Sequence, residues 1–337
     1  MIVIVCIFVI LAATAAVWHG SFLLENAAGR LAAHYHLPAV VQGSIIMAVG
    51  SSFPELSSTV IATLVHGKFE LGVAAVVGSA VFNILVIPGV SGLVGGGLET
   101  DREMVYKEAL FYMISVAVLM LSFALALIYY PVAGSQWEGS ITRPLALLPV
   151  GFYGLYIFLQ HQDTMEYRIQ QRENGLHAQK IQDGAGRLWL RLLLGLAFIG
   201  IGVEGLVRSV IILGDVFNTP HFFWGLSVIA AATSLPDAFV SIQAARRKDG
   251  VVSMANVLGS NTFDLLIAIP VGVLIAGTCI IDFSVAAPAM GLLAVATIAL
   301  FVMLRTQLRL TQFECILLLV LYAGFLAWMG VEAFFYA

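Results

Sequence analysis

With 337 residues, 60% of them hydrophobic and only 11% charged, the chain lies far outside the range of soluble globular proteins, which are nearer about 45–50% apolar and about 25% charged. Its mean hydropathy is +0.98, and a bilayer crossing needs roughly 20 apolar residues, so the composition indicates many membrane-spanning helices and excludes disordered, collagen-like and disulfide-scaffold classes. The net charge of −4 matters less than where the charges fall.

Apolar runs between polar breaks predict ten spans, over 2–24, 37–65, 70–97, 104–130, 144–160, 188–213, 221–245, 250–277, 284–304 and 312–336. No Lys or Arg precedes the first run, which is longer than a signal-peptide core and is expected to be a retained span. The connections after spans 1, 3, 5, 7 and 9 hold 13 of the 16 basic residues, whereas the opposite side keeps only Lys68, Arg143 and Arg208. The excess of positive charge places the odd-numbered connections in the cytoplasm, and both termini outside, for a multi-pass protein of the cell (inner) membrane. The expected fold is all-α and polytopic, with about ten transmembrane helices in two five-helix halves, 1–160 and 188–337, joined by a solvated cytoplasmic loop over 161–187. The lipid bilayer is the expected partner, no nucleic acid is expected, and one copy of the chain suffices for a site. Cys6, Cys279 and Cys315 lie in apolar runs without metal-ligand spacing and read as core thiols.

A repeat carries the chemistry. Gly43-Ser44-Ile45-Ile46-Met47-Ala48-Val49-Gly50-Ser51-Ser52-Phe53-Pro54-Glu55 returns 182 positions later as the segment from Gly225 through Ala230, Thr233, Ser234 and Pro236 to Asp237. A second element follows in each half, Val77-Gly78-Ser79-Ala80-Val81-Phe82-Asn83 and Leu258-Gly259-Ser260-Asn261-Thr262-Phe263-Asp264. The repeats extend over 43–97 and 225–277. Five spans per half is an odd number, so the second copy enters the membrane from the other side, and the halves form an inverted repeat of the kind found in transporters. Pro54 and Pro236 each lack an N–H and clash with the preceding turn, so both helices are expected to open, near Gly50-Ser51 and Ala232-Thr233.

Glu55 and Asp237 stand beside these breaks, and Asn83 and Asp264 occupy the spans that follow. At about 2.5–3.5 kcal/mol each near a helix centre, three unpaired acids are costly, and no Lys or Arg lies near mid-span to pair with them. Bound cations or protons are the remaining compensation. Calcium takes 6–8 oxygen ligands, which the two facing carboxylates, carbonyls near Ser51 and Thr233, and water can supply. The motif lacks thiol and imidazole, which argues against zinc or copper. The hydroxyls of Ser51, Ser52, Thr233, Ser234, Ser79 and Ser260, with the Asn83 amide, suit monovalent ions around the same centre. Each hydroxyl taken singly is equally explained by bonding to its own helix backbone.

GSSFPEL with VGSAVFNIL, and ATSLPDA with LGSNTFDLL, resemble the two alpha repeats of the calcium/cation antiporter superfamily, and within it most of all the potassium-dependent sodium/calcium branch, in a short-loop prokaryotic form. The resemblance implies a secondary active antiporter that exchanges Ca2+ for Na+ by alternating access, with K+ or H+ as further candidate ions, no cofactor and no enzymatic activity. It also implies that Glu55 and Asp237 form a calcium pair shared with sodium, helped by carbonyls at Ser51 and Thr233. Ala48, Ser52, Ser79 and Asn83, with Ala230, Ser234, Ser260 and Asp264, are placed around sodium, and Asp264 is tied to potassium. One departure is that Ala75 and Ala80 stand where the second repeat has Asn256 and Asn261.

Other readings are weighed against this one. A calcium/proton antiporter is the nearest alternative, since buried carboxylates carry protons themselves. An intramembrane aspartyl protease explains neither Glu55 nor the inverted repeat, and a passive channel normally builds its filter from an oligomeric ring. Glu25 is expected at a span end, Glu204 in an ion pair with Arg208, the histidines at the surface, and the glycines from Gly195 to Gly205 in a close helix contact.

Overall fold

The computed structural model describes residues 1–35, 48–174 and 185–335, which are helical apart from turns and four short strands. Among them, nine helices are long and apolar enough to cross a membrane. A tenth crossing is broken: α2 (Ala48–Ser51) and α3 (Phe53–Leu64) are separated at Ser52. The chain is therefore an all-α polytopic membrane protein. Residues Gly43–Met47 of the first repeat lie outside the described residues.

The first helix, α1 (Ile2–His34), runs past the end predicted at residue 24. Its polar residues stay helical because they are satisfied locally, as Asn26 shows by donating to the Phe22 carbonyl at 2.8 Å. Glu25 is therefore inside a helix and not at a span end. His19 is likewise well inside α1, edge-on to Phe198. Helix α1 pairs along its length with α7 (Ala185–Phe217). The two backbones touch: a Cβ on Gly20 would lie 2.8 Å from the Gly195 carbonyl oxygen, and one on Gly195 would lie 2.8 Å from that of Gly20. Only glycine permits this approach, the role expected for the Gly195–Gly205 set, which Gly195 and Gly202 fill while Gly200 meets nothing within 4 Å.

Helix α4 (Phe69–Gly95) is apolar apart from Glu70, Ser79, Asn83 and Ser91 and buried nearly throughout, as a central helix should be. It packs against α3, α9 (Ala230–Arg246), α12 (Phe283–Gln307) and α13 (Gln312–Phe335). Outward-facing side chains are large and apolar, among them Phe8, Ile201 and Phe313, which suits lipid contact. Helix α5 (Leu110–Tyr129) follows a π-helical start over Met104–Ala109. Helix α6 (Arg143–Asn174) carries helix into the segment expected to be loop, 161–187, of which 175–184 are outside the described residues.

Two antiparallel ribbons join the halves. Strand β1 (Leu98–Glu99) pairs with β4 (Arg309–Leu310), and β2 (Glu138–Thr142) pairs with β3 (Thr278–Asp282), with Ser140 opposite Ile280. The first ribbon joins the connections after spans 3 and 9, the second those after spans 4 and 8. Odd meets odd and even meets even, as the span count requires.

The second repeat differs from its expectation. The crossing starts with α8 (His221–Trp224) and a π-helical run, Gly225–Ile229, after which α9 continues without a break through Ala232-Thr233 and Pro236. A proline inside a helix forfeits one hydrogen bond without having to open it, as Pro88 also shows within the continuous α4. Beyond it, α10 (Gly250–Phe263) leads through a π-helical run over Asp264–Ala268 into α11 (Ile269–Ala276).

Candidate cation site

Pro54 falls in the first turn of α3, where its missing N–H costs nothing within that helix. Pro236 sits inside α9, so the carbonyl of Ala232, four residues back, has no N–H donor from it. One residue beyond each proline, Glu55 and Asp237 point into the centre, each only 1% exposed. Asp264, at the end of α10, is fully buried.

The two repeats meet in a matched pattern. Ser79 on α4 donates to Glu55 Oε1 at 3.1 Å and shares a 2.7 Å hydroxyl–hydroxyl bond with Ser234 on α9. In the other half, Ser260 on α10 donates to Asp237 Oδ2 at 2.7 Å and shares a 2.7 Å bond with Ser52. Ser51 approaches the same Ser260 hydroxyl at 3.4 Å. Each acid is thus oriented by a serine of its own repeat, and that serine is held by one from the other repeat. Close pairs also cross between halves: Thr233 is beside Glu55, Asn83 beside Asp237, and Ser52 beside Asp264.

The bonding leaves a specific set of oxygens bare. Glu55 Oε2, Asp237 Oδ1, Asn83 Oδ1 and both Asp264 oxygens are buried without a hydrogen-bond partner. Buried polar atoms are ordinarily paired, and buried carboxylates in particular need a counter-charge. Among the described residues, no three His, Cys, Asp or Glu side chains form a metal-holding group on their own. A cation here draws on hydroxyl, amide and carbonyl oxygens beside the carboxylates, a donor set for hard ions such as sodium, potassium and calcium.

The structure brings Ser51, Ser52, Glu55, Ser79, Asn83, Thr233, Ser234, Asp237, Ser260 and Asp264 together. Ala230 is buried at the start of α9, and Ala48 starts α2; both carry only backbone oxygens to offer. The Thr233 hydroxyl bonds its own helix, at 3.1 Å to the Ile229 carbonyl and 3.3 Å to that of Ala230, so the backbone reading holds for that hydroxyl. Asn256 donates to the Asp237 carbonyl at 3.3 Å and to Ser241 at 3.1 Å.

Residues outside the motif sort more simply. Glu204 pairs with Arg208, as expected, and also meets His66 at 3.0 Å, so His66 has a specific partner. The three cysteines are free and buried. Glu25 is half-buried on α1 directly against the helix break, where a Cβ on Gly50 would lie 3.4 Å from its Cγ. Tyr112, fully buried on α5, reaches the site through Asn261 at 3.2 Å. No spacing in the sequence points to Tyr112, because the contact joins positions 149 apart.

The family model described as sodium/calcium exchanger protein matches residues 5–162 and 187–331. The sodium/calcium exchanger MaX1 of Methanosarcina acetivorans is 23% identical over 331 residues, covering 91% of this chain and 93% of that one. Human sodium/potassium/calcium exchanger 4 is 36% identical over 137 residues, 40% of this chain and 19% of its own. Solved structures of the sodium-calcium exchanger NCX_Mj share the fold, with a TM-score of 0.62 at 21% identity over 96% of this chain and 98% of that one. The family match spans both halves, each with its proline, acid and serine elements, and the chain belongs to the sodium/calcium exchanger family.

Proposed function

We propose that the protein is a secondary active antiporter that exchanges Ca2+ for Na+ at the centre of the membrane, with both termini outside the cytoplasm and two halves, 1–160 and 188–337, flanking the connector. The observation that carries this reading is the pair of serine-oriented carboxylates, Glu55 and Asp237, each with one oxygen held and one bare. Calcium binds between these bare oxygens, with carbonyls at Ser51 and Thr233. Sodium uses the same two acids together with Ala48, Ser52, Ser79 and Asn83 from one repeat and Ala230, Ser234, Ser260 and Asp264 from the other. Because the ions share ligands, occupancy by one excludes the other, and exchange follows from that competition. The filled site is neutralised, whereas the empty acidic site stays too costly to carry across the apolar barrier.

Radiolabelled calcium uptake into proteoliposomes tests the coupling. Uptake is expected with an outward sodium gradient; uptake driven only by a proton gradient would assign the protein to calcium/proton exchange.

Potassium belongs at Asp264. Its two bare oxygens form a third negative centre beside Ser52, and three ionised acids balance one divalent plus one monovalent cation. The similarity of 137 residues to a human exchanger named for potassium supports the same assignment. Asp264→Asn is expected to remove potassium stimulation of uptake. Stimulation retained at the wild-type level would place potassium elsewhere.

A further inference from the structure

Asn83 and Asn261 are both fully buried, and the direction in which each amide points decides which atom it offers the site. Asn83 Nδ2 donates to Asn261 Oδ1 at 2.9 Å, which leaves Asn83 Oδ1 bare. Asn261 is fixed from its other end. Its Nδ2 donates to the Ala80 carbonyl at 3.1 Å and to the Tyr112 hydroxyl oxygen at 3.2 Å. These two acceptors take both of its amide hydrogens. Turning the Asn261 amide over would set oxygen against oxygen at Ala80 and present an N–H to the N–H of Asn83, so the observed orientation is the one the surroundings permit.

We propose that Tyr112 is a positioning residue for monovalent-ion coordination: it locks the Asn261 amide, which in turn holds Asn83 with its carbonyl oxygen free as an ion ligand. Tyr112 belongs to α5, outside both repeats, and its side-chain hydrogen bond among the described residues is with Asn261, which is not a proposed ion ligand. Its hydroxyl also lies beside Thr297 on α12, so the lock is tied into the surrounding helices. The arrangement is one-sided. Ala80 occupies the position in the first repeat that Asn261 holds in the second, and contributes only the carbonyl that anchors Asn261. The serines that orient Glu55 and Asp237 form no part of this chain of bonds, so the calcium pair meets it only where Asn83 lies beside Asp237.

The inference rests on sodium/calcium exchange as the activity, and the test separates the two. Wild type, Tyr112→Phe, Asn261→Ala and the double variant are reconstituted, and two quantities are read: the internal sodium concentration for half-maximal calcium uptake, and sodium-free calcium/calcium exchange. Tyr112→Phe is expected to raise the half-maximal sodium concentration about two- to tenfold, the range for loss of one buried hydrogen bond, with a clearly smaller effect on calcium/calcium exchange. Asn261→Ala is expected to raise it at least as much, and Tyr112→Phe to add nothing in that background, because both act through one amide. An unchanged sodium dependence, an equal disturbance of calcium/calcium exchange, or additive effects would overturn the assignment. A wild type without sodium-driven uptake would overturn the parent reading, and this one with it.

Discussion

Glu55→Gln is expected to abolish calcium uptake while leaving the protein inserted and folded. The substitution keeps the shape and the Ser79 hydrogen bond, since a carboxamide oxygen still accepts, and removes one unit of charge from the site. Between a divalent ion and a carboxylate about 4 Å apart, the attraction at an effective dielectric of 20 is ~8 kcal/mol before desolvation. Retaining even half of that as net binding energy makes its loss about a thousandfold in affinity. Folding should not suffer, because a buried carboxylate with one bare oxygen is itself a cost to the folded chain. The measurement pairs uptake with thermal unfolding of the purified protein: no flux, with a melting temperature at or above wild type. Wild-type flux would remove Glu55 from the site. Asp237→Asn is expected to behave in the same way, through Ser260 in place of Ser79.

Gly78→Ala is expected to fail differently, by loss of assembled protein. A Cβ at Gly78 would overlap the Leu226 carbonyl oxygen and lie 2.7 Å from both Leu226 Cα and Ala230 Cβ. Two of these atoms are backbone and the third is a methyl on the helix itself, so no side-chain rotation relieves the clash. Helix α4 and the π-helical run Gly225–Ile229 must separate, one residue from Ser79 and its bond to Ser234. Overpacking in a close-packed core costs about 1–3 kcal/mol, and backbone against backbone lies at or above the top of that range. Size-exclusion profiles and melting temperature should both show the damage; a monodisperse yield and melting temperature equal to wild type would show that the crossing can widen.

Much of the site was legible because it is written twice. Pro54-Glu55 and Pro236-Asp237, followed by Ser79 and Ser260, sit at matched offsets, and the structure brings them together in matched bonds. What was not legible depended on context that repeats do not carry. The same proline accompanies a break at Ser52 in one half and lies within an unbroken helix in the other. Glu25, Asn26 and Arg30 resembled the end of a span, yet α1 continues through them, since helix polarity says little where side chains can bond their own backbone. Tyr112 sits in an apolar run and looks like any core aromatic. Its hydroxyl acquires meaning only when α5 and α10 are side by side.

The two strand ribbons have a mechanical consequence. They act as rivets at opposite faces of the membrane, each joining the first half of the chain to the second. Shearing the halves past one another would strip paired backbone bonds at both faces at once. Helices α1 and α7, seamed together at Gly20 and Gly195, belong to neither ribbon. A displacement of that pair along the riveted frame breaks no ladder bond, whereas a shear between the halves breaks both ladders.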